Sequence, residues 1–150
     1  MSLLTVSQLL SLPTALATLE REAVSEGFGM LSRLREEWES GVNRFDRKGE
    51  LLLGTFRADR LLGISGLNRD PYINDPRVGR LRHLYVTKEE RRAGIGTSLV
   101  QHILEHATSN FDSVRLWTER AASFYDALGF DRVDGPKVTH VYLIRLSGSR

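Results

Sequence analysis

The segment from Lys88 to Thr97 combines the residue types that bind phosphate groups. Gly94 and Gly96 carry no side chain, so a ligand can approach their backbone closely. The apolar pattern predicts a helix that begins at this point, and the first N–H groups of a helix have no acceptor within it. The segment therefore predicts a phosphate-binding loop made of Arg91, Arg92, Ala93, Gly94, Ile95, Gly96 and Thr97.

The spacing of the glycines excludes two common nucleotide-binding loops. No Gly-Lys-Ser/Thr follows Gly96, and a dinucleotide fingerprint would need a glycine where Leu99 stands. The pattern Thr87-x-x-Glu90 also fits a capping box, in which case a helix would begin at Lys88. Two glycines in the first turns of that helix would each cost about 1 kcal/mol, which favours the loop.

Few side chains in the sequence are suited to moving protons. Tyr125 carries a hydroxyl but could simply pack beside Phe124 on a helix. His83 is a candidate base, but a single histidine on a strand is more often structural. Glu26 and Asp70 are weaker candidates for the base. His102 and His106 are four residues apart without a third ligand, so no metal site is predicted.

Apolar periodicity predicts the elements that position these residues. Two helices join near Gly27 and Gly29, and the second ends at Gly41. A third helix covers 94–107 and a fourth Ala121–Leu128, before Gly129. Strands are predicted at Leu51–Phe56, Leu61–Leu67, Leu81–Val86, Val114–Thr118, Phe130–Val133 and Val138–Leu146, with a loop over 68–79.

This order of elements predicts a single α/β domain of the α+β type over residues 1–150. Hairpins join antiparallel strands, whereas the strand–helix–strand unit over 81–118 favours one parallel pair. The sheet is therefore mixed and mostly antiparallel, with helices packed on it. The segment from Asn68 to Asp75 is either a lip of a binding site or a plain surface loop.

Composition narrows the classes of function. The 150 residues include no cysteine, which excludes disulfides, thiolate metal sites and a cysteine nucleophile. Only three of the 21 basic residues are lysines, and arginine suits a phosphate-bearing ligand. The basic residues are spread among 19 acidic ones, so nucleic acid is not an expected partner. With no membrane span and no signal peptide in the sequence, we expect a cytoplasmic protein.

Two motifs resemble those of the GNAT superfamily of acetyl-CoA-dependent N-acetyltransferases. Arg91-x-x-Gly94-x-Gly96, after a strand ending in Leu84-Tyr85-Val86, is similar to the family signature [QR]-x-x-G-x-[GA]. Leu116-Trp117-Thr118 followed by Ala121 to Phe130 is similar to the closing motif A-x-x-F-Y-x-x-x-G-F. The resemblance covers about residues 50–146.

The resemblance implies a twisted sheet with helices on both faces, in which the strands at 81–86 and 114–118 splay apart. Acetyl-CoA would be the co-substrate, its pantetheine arm lying along the first strand like an added strand. The main chain of Leu84 and Val86 would bind the acetyl and pantetheine groups, and Arg91 to Thr97 the pyrophosphate. Tyr125 would be the general acid, and Tyr85, Thr118 and Phe124 would complete the cofactor site.

The function implied is acetyl transfer to a primary amine by direct attack in a ternary complex. Many relatives carry a carboxylate where this chain has Arg82 and His83, and an asparagine where it has Thr118. A non-catalytic acyl-CoA sensor is therefore the alternative. Polyamines, aminoglycosides, amino acids and protein N-termini remain open as acceptors, as do a longer acyl group and a homodimer.

Overall fold

The computed structural model describes residues 3–144. The last two residues of the strand predicted over 138–146 and the Gly-Ser that follows lie outside that range. Seven strands form one sheet: β1 (Leu4–Gln8), β2 (Leu51–Arg57), β3 (Arg60–Arg69), β4 (Val78–Val86), β5 (Ser113–Leu116), β6 (Asp131–Gly135) and β7 (Val138–Leu143).

Four α-helices pack on this sheet: α1 (Leu16–Ser25), α2 (Met30–Ser40), α3 (Ile95–Ala107) and α4 (Ala122–Ala127). A single turn of 3₁₀-helix, Lys88–Glu90, lies between β4 and α3. Gly41 ends α2 in the left-handed conformation, with φ of 81°. Across residues 3–144, every helix is too short or too polar to cross a bilayer.

The strands follow the order β1-β2-β3-β4-β5-β7-β6. Every neighbouring pair is antiparallel except β4 and β5, which are parallel. The predicted fold class is therefore confirmed, as is the β2–β3 hairpin at Arg57 to Arg60.

Strand alternation gives the sheet two apolar faces, and helices cover both. Leu51 and Leu53 of β2 pack with α3, whereas Leu52 between them packs with α1 and α2. Successive side chains of a strand point to opposite faces, so one apolar run supplies both layers. Burying a leucine in either layer contributes about 1.5–3 kcal/mol.

β4 and β5 separate after a short parallel segment. They pair only where Val78, Gly79 and Arg80 face Ser113, Val114 and Arg115, while β4 continues six residues further to Val86. The register of β4 against β3 also shifts near His83, which has a φ of 63°. A residue with positive φ inside a strand is typical of a bulge, which bends the strand and increases its twist.

The sequence did not predict β1. Its residues are exposed or half-buried, and Leu4 remains 44% exposed, so its apolar pattern is weak. The strand forms because its backbone pairs with β2 at the sheet edge. The capping-box alternative is right that a helical turn begins at Lys88, but this turn is 3₁₀ and ends at Glu90, before α3 begins at Ile95. The capping box itself is absent, because the Thr87 hydroxyl donates to Glu22 instead.

Candidate active site

A cleft of about 1130 Å³ opens where β4 and β5 separate. Its walls come from β4, the N-terminus of α3, the segment after β5, and the loop between α1 and α2. Apart from Ala93, all the residues predicted from the sequence to bind the cofactor line this cleft, as do Tyr125 and His83, whereas the weaker candidate bases Glu26 and Asp70 do not. The splayed strands therefore bring both sequence motifs to one site.

One end of the cleft is the N-terminus of α3. Gly94 adopts the left-handed conformation at φ 85°, and its carbonyl accepts the first hydrogen bond of the helix from Ser98 N–H, at 3.0 Å. The N–H groups of Ile95, Gly96 and Thr97 therefore have no acceptor within the helix. A Cβ placed on Gly94 would meet nothing within 4 Å, so open space lies beside this backbone. These groups fit a diphosphate.

The main chain of β4 forms one wall. Thr87 N–H donates to the carbonyl of Leu62 in β3, at 2.8 Å. Because successive backbone groups of a strand point to opposite edges, those of Leu84 and Val86 face away from β3, towards the cleft. The Val86 carbonyl accepts a hydrogen bond from Arg91 Nε at 3.0 Å. An extended ligand could pair with this edge as a further strand would.

Arg91 is tied to the helical layer on the other face of the sheet. Its guanidinium forms an ion pair with Glu26 through two hydrogen bonds. Glu26 also lies against the hydroxyl of Tyr85. The hydrogen bonds from Arg91, first, and from Tyr85 lower the pKa of Glu26 to about 2. Arg92, by contrast, is exposed and has a φ of 72°.

Glu22 fixes the turn that precedes this loop. Its carboxylate accepts hydrogen bonds from the Tyr85 hydroxyl at 2.7 Å, the Thr87 hydroxyl at 2.8 Å and the Lys88 N–H at 2.9 Å. Burial, with the two nearby carboxylates, raises the pKa of Tyr85 well above its usual value. Tyr85 thus keeps its proton, and α1 is anchored directly to the end of β4.

Tyr125 lies on α4 at the cleft wall and is almost entirely buried. Its ring makes edge contacts with Phe124 and Phe130, with centroids 5.0 and 5.4 Å away. Burial raises the pKa of its hydroxyl, which therefore stays protonated at neutral pH. The side chain has the two properties of a proton or hydrogen-bond donor: a retained proton and a position on the cleft.

Thr118 shapes the turn between β5 and α4. Its N–H donates to Thr139 Oγ1 at 3.0 Å, and its own Oγ1 accepts from the Ala121 N–H at 3.0 Å. The hydroxyl therefore closes the turn that leads into α4 and places Phe124 on the cleft. Trp117, beside it, is half exposed and also lines the cleft.

The structure places the candidate bases His83 and Asp70 in buried surroundings. His83 is buried, and its Nε2 has no partner within residues 3–144. Burial, with Arg82 as a second cause, lowers the pKa of His83 to about 3. Asp70 is fully buried within 4 Å of Arg80 and Arg115, so it acts as their counter-ion. The surroundings of His83 therefore lower its basicity.

Sequence reasoning missed three further residues around the cleft. Glu22 was not singled out, although its spacing of four from Glu26 places both on one face of α1. Arg80 and Arg120 line the cleft, and Arg120 lies over the ring of Phe28 at 4.8 Å. No sequence signal marks these two arginines, because their partners are distant in the chain.

Comparison with known proteins agrees with this geometry. The model of the acetyltransferase (GNAT) family matches residues 14–130, and the chain belongs to this family. It is similar to the crystal structure of a candidate acetyltransferase from Exiguobacterium sp. 255-15, at 29% identity and a TM-score of 0.86, over 93% of both chains.

Two more distant structures were solved with coenzyme A. The GNAT family N-acetyltransferase YhbS from Escherichia coli is 16% identical with a TM-score of 0.71, over 95% of this chain and 82% of that one. N-acetylglutamate synthase from Neisseria gonorrhoeae, in complex with coenzyme A and N-acetyl-glutamate, is 16% identical with a TM-score of 0.71. The match covers 94% of this chain and 34% of that one. At this identity the likeness establishes the shared fold.

Proposed function

We propose that this protein transfers an acetyl group from acetyl-CoA to a primary amine by direct attack in a ternary complex. The observation that carries the proposal is the cleft, where free N–H groups of α3 lie at one end and the unpaired edge of β4 along one wall. The chain contains no cysteine, so an acyl-cysteine intermediate is excluded.

The binding roles follow from the groups that face the cleft. The N–H groups from Gly94 to Thr97 hold the pyrophosphate, helped by the positive end of the α3 dipole. The main chain of Leu84 and Val86 pairs with the acetyl and pantetheine amides. Arg91 donates to the Val86 carbonyl, whose second lone pair remains for the pantetheine amide. The guanidinium of Arg91 adds positive charge at the phosphate end of the cleft.

Acetyl-CoA supplies a thioester, whose carbon accepts the amine and whose sulfur leaves as a thiolate. The C–N bond forms and the C–S bond breaks, while the amine loses a proton. Tyr125 donates its O–H to the departing sulfur and regains the proton from solvent. Because burial raises its pKa, the hydroxyl keeps its proton at neutral pH until negative charge develops on the sulfur. Tyr125 is therefore the catalytic residue of this proposal.

The base is assigned to solvent. A side-chain amine with a pKa near 10.4 enters protonated at neutral pH. Glu26 and His83, with pKa values of about 2 and 3, are poor acceptors for that proton. We therefore expect the rate to rise with pH as the ammonium group of the acceptor loses its proton. The same lack of a matched base supports the alternative, a sensor that binds acyl-CoA without turnover.

Two measurements test the proposal. Acetyl-CoA at about 100 times its dissociation constant should stabilise the fold by about 2.7 kcal/mol, a rise in melting temperature of roughly 5–11 °C. Free-thiol release with a panel of amines then separates enzyme from sensor. Binding without turnover across the panel would favour the sensor, and no thermal shift at millimolar CoA would refute both.

Gly96→Val provides the structural control. Even a Cβ at Gly96 would lie 3.5 Å from Phe124 and 3.6 Å from Val86, and the branches of valine extend further into the cleft. The variant should fold but lose the CoA shift. Ser98→Val introduces the same side chain two residues later, outside the cleft lining, and should keep the shift.

A further inference from the structure

Positive charge collects in the part of the cleft farthest from the phosphate-binding N-terminus of α3. Arg80 lies at the last β4–β5 pair, six residues before Val86, which is about 20 Å along a strand. Arg82 and Arg33 line the same region, and Tyr72 covers Arg80 with its ring 4.8 Å away. We call this region, defined by these four residues, the acceptor end.

In and beside the acceptor end, the carboxylates of Asp70 and Glu37 are the counter-ions of four arginines. These are Arg33, Arg80, Arg82 and Arg115. Asp70 lies 3.4 Å from Arg80 and 3.8 Å from Arg115. Glu37 lies 3.5 Å from both Arg33 and Arg82.

The four arginines thus exceed their counter-ions by two positive charges. Arg80, Arg82 and Arg115 have side chains less than one-fifth exposed, so water screens their charges weakly, whereas Arg33 is 65% exposed and well screened.

Among the three arginines that line the acceptor end, Arg80 has the most buried side chain. Its side chain is 10% exposed, yet its hydrogen bond to Asp70, from Nη1, is long at 3.4 Å. A guanidinium has five N–H donors, and this hydrogen bond uses one of them on a side chain that lines the cleft. Burial lowers the pKa of Arg80 despite the nearby Asp70, which reflects the cost of holding this charge away from water. An anion would offset that cost.

We propose that the acceptor is a small amine that carries a carboxylate, which Arg80 binds with its free N–H groups while Arg82 and Arg33 add positive charge. The inference rests on the proposed acetyl transfer and specifies its second substrate. A planar carboxylate matches the fork of a guanidinium with two parallel hydrogen bonds. Polyamines and aminoglycosides carry several positive charges, which the acceptor end repels.

The test compares each free amino acid with its own α-carboxamide, using thiol release from acetyl-CoA. The carboxamide lacks the carboxylate, and its amine has the lower pKa, so chemistry alone would favour it. We expect kcat/KM for the acids to exceed that for the amides by on the order of 10²-fold. Equal rates, or a preference for spermidine or kanamycin, would overturn the inference. So would a preference for phosphoethanolamine, since phosphate would then be the ligand.

Arg80→Gln should remove this discrimination. We expect kcat/KM for the acids to fall on the order of 10²-fold, mainly through KM, while the value for the amides changes by less than about threefold. Arg21→Gln, an exposed arginine on α1 outside the cleft lining, is the matched control. If Arg80→Gln does not fold, Arg82→Gln removes a charge from the same wall and should weaken acids selectively.

A binding assay makes the inference independent of turnover. Calorimetric titration of N-acetyl amino acids and their carboxamides into the CoA-saturated protein should show binding of the acids alone, lost in Arg80→Gln. A protein that binds CoA and acetylates other amines, but neither binds nor acetylates carboxylates, refutes the inference and leaves the proposed function intact. A protein that binds no CoA refutes the proposed function itself.

Discussion

Gly94 and Gly96 should respond oppositely to the same substitution, although both belong to the phosphate-binding loop. Gly94 has a φ of 85°, a region in which an alanine costs about 1–2 kcal/mol. Part of that cost is offset because alanine restricts the unfolded chain. We therefore expect Gly94→Ala to lower the free energy of unfolding by about 1 kcal/mol.

Gly96 lies within the first turn of α3, where alanine is preferred to glycine by about 0.8–1.0 kcal/mol in a helix interior. Its Cβ would lie 3.5 Å from Phe124 Cζ and 3.6 Å from Val86 Cγ2, which are ordinary van der Waals distances. Gly96→Ala should therefore stabilise the protein by about 0.5–1 kcal/mol. The family signature, which allows alanine at this position, agrees with that space.

Thermal unfolding of the two variants, with and without CoA, checks this reasoning. The melting temperatures should differ by about 3–8 °C, with Gly96→Ala the higher. Gly94→Ala should also weaken CoA binding, because its methyl group would project into the open space beside the α3 N–H groups. Gly96→Ala should retain binding. Equal melting temperatures would refute the conformational argument, and full CoA affinity in Gly94→Ala would refute the placement of the pyrophosphate.

Three further substitutions probe the cleft. Tyr125→Phe should lower kcat by roughly 10²–10⁴-fold and leave CoA affinity within a few-fold, measured by thiol release and calorimetry; unchanged kcat would return Tyr125 to a packing role. Glu26 has a folded pKa of about 2 against an ordinary 4.5, so its stabilising effect is present above pH 4.5 and lost as the pH falls towards 2. Melting curves of wild type and Glu26→Gln should therefore converge over that range, and a constant difference would contradict the ion pair with Arg91. His83 has a folded pKa of about 3 against 6.5, so wild type should lose stability from pH 6.5 down to 3 in a way that His83→Asn does not. The pH dependence of kcat/KM should be the same in both proteins, and a shifted profile would make His83 the base.

Local sequence signals were sufficient for most elements of the fold. The leucine runs of β2 and β3 are bounded by turn residues, and the apolar residues of α3 repeat at helical spacing. These three elements can therefore be predicted without knowledge of their partners in the fold. β1 could not be predicted in this way because its pairing with β2, nearly fifty residues away, determines its conformation. The bulge at His83 has the same character: histidine is enriched among residues with positive φ, but this frequency does not indicate which histidine of a chain adopts it.

The same distinction between local signals and distant contacts applies to the candidate site. Glycines that free a helix N-terminus act locally, so the cofactor loop was visible from Arg91 to Thr97. The acceptor end depends on Asp70 being enclosed by Arg80 and Arg115, residues that meet only when the loop after β3 folds against β4 and β5. The sequence shows how many charged residues there are but not which of them are buried away from water. In this cleft, burial determines how the charged side chains behave.

The contacts of α1 connect the two ends of the cleft physically. Glu22 holds the turn at Thr87 and Lys88, and Glu26 holds Arg91, whose guanidinium covers the Val86 carbonyl. A ligand that pairs with the Val86 carbonyl would share this acceptor with Arg91, which Glu26 holds in place. The loop after α1 contains Phe28, which packs against Tyr85 and under Arg120 at the cleft wall. The residues that hold the phosphate end of the cleft therefore lead directly into the loop that lines its wall.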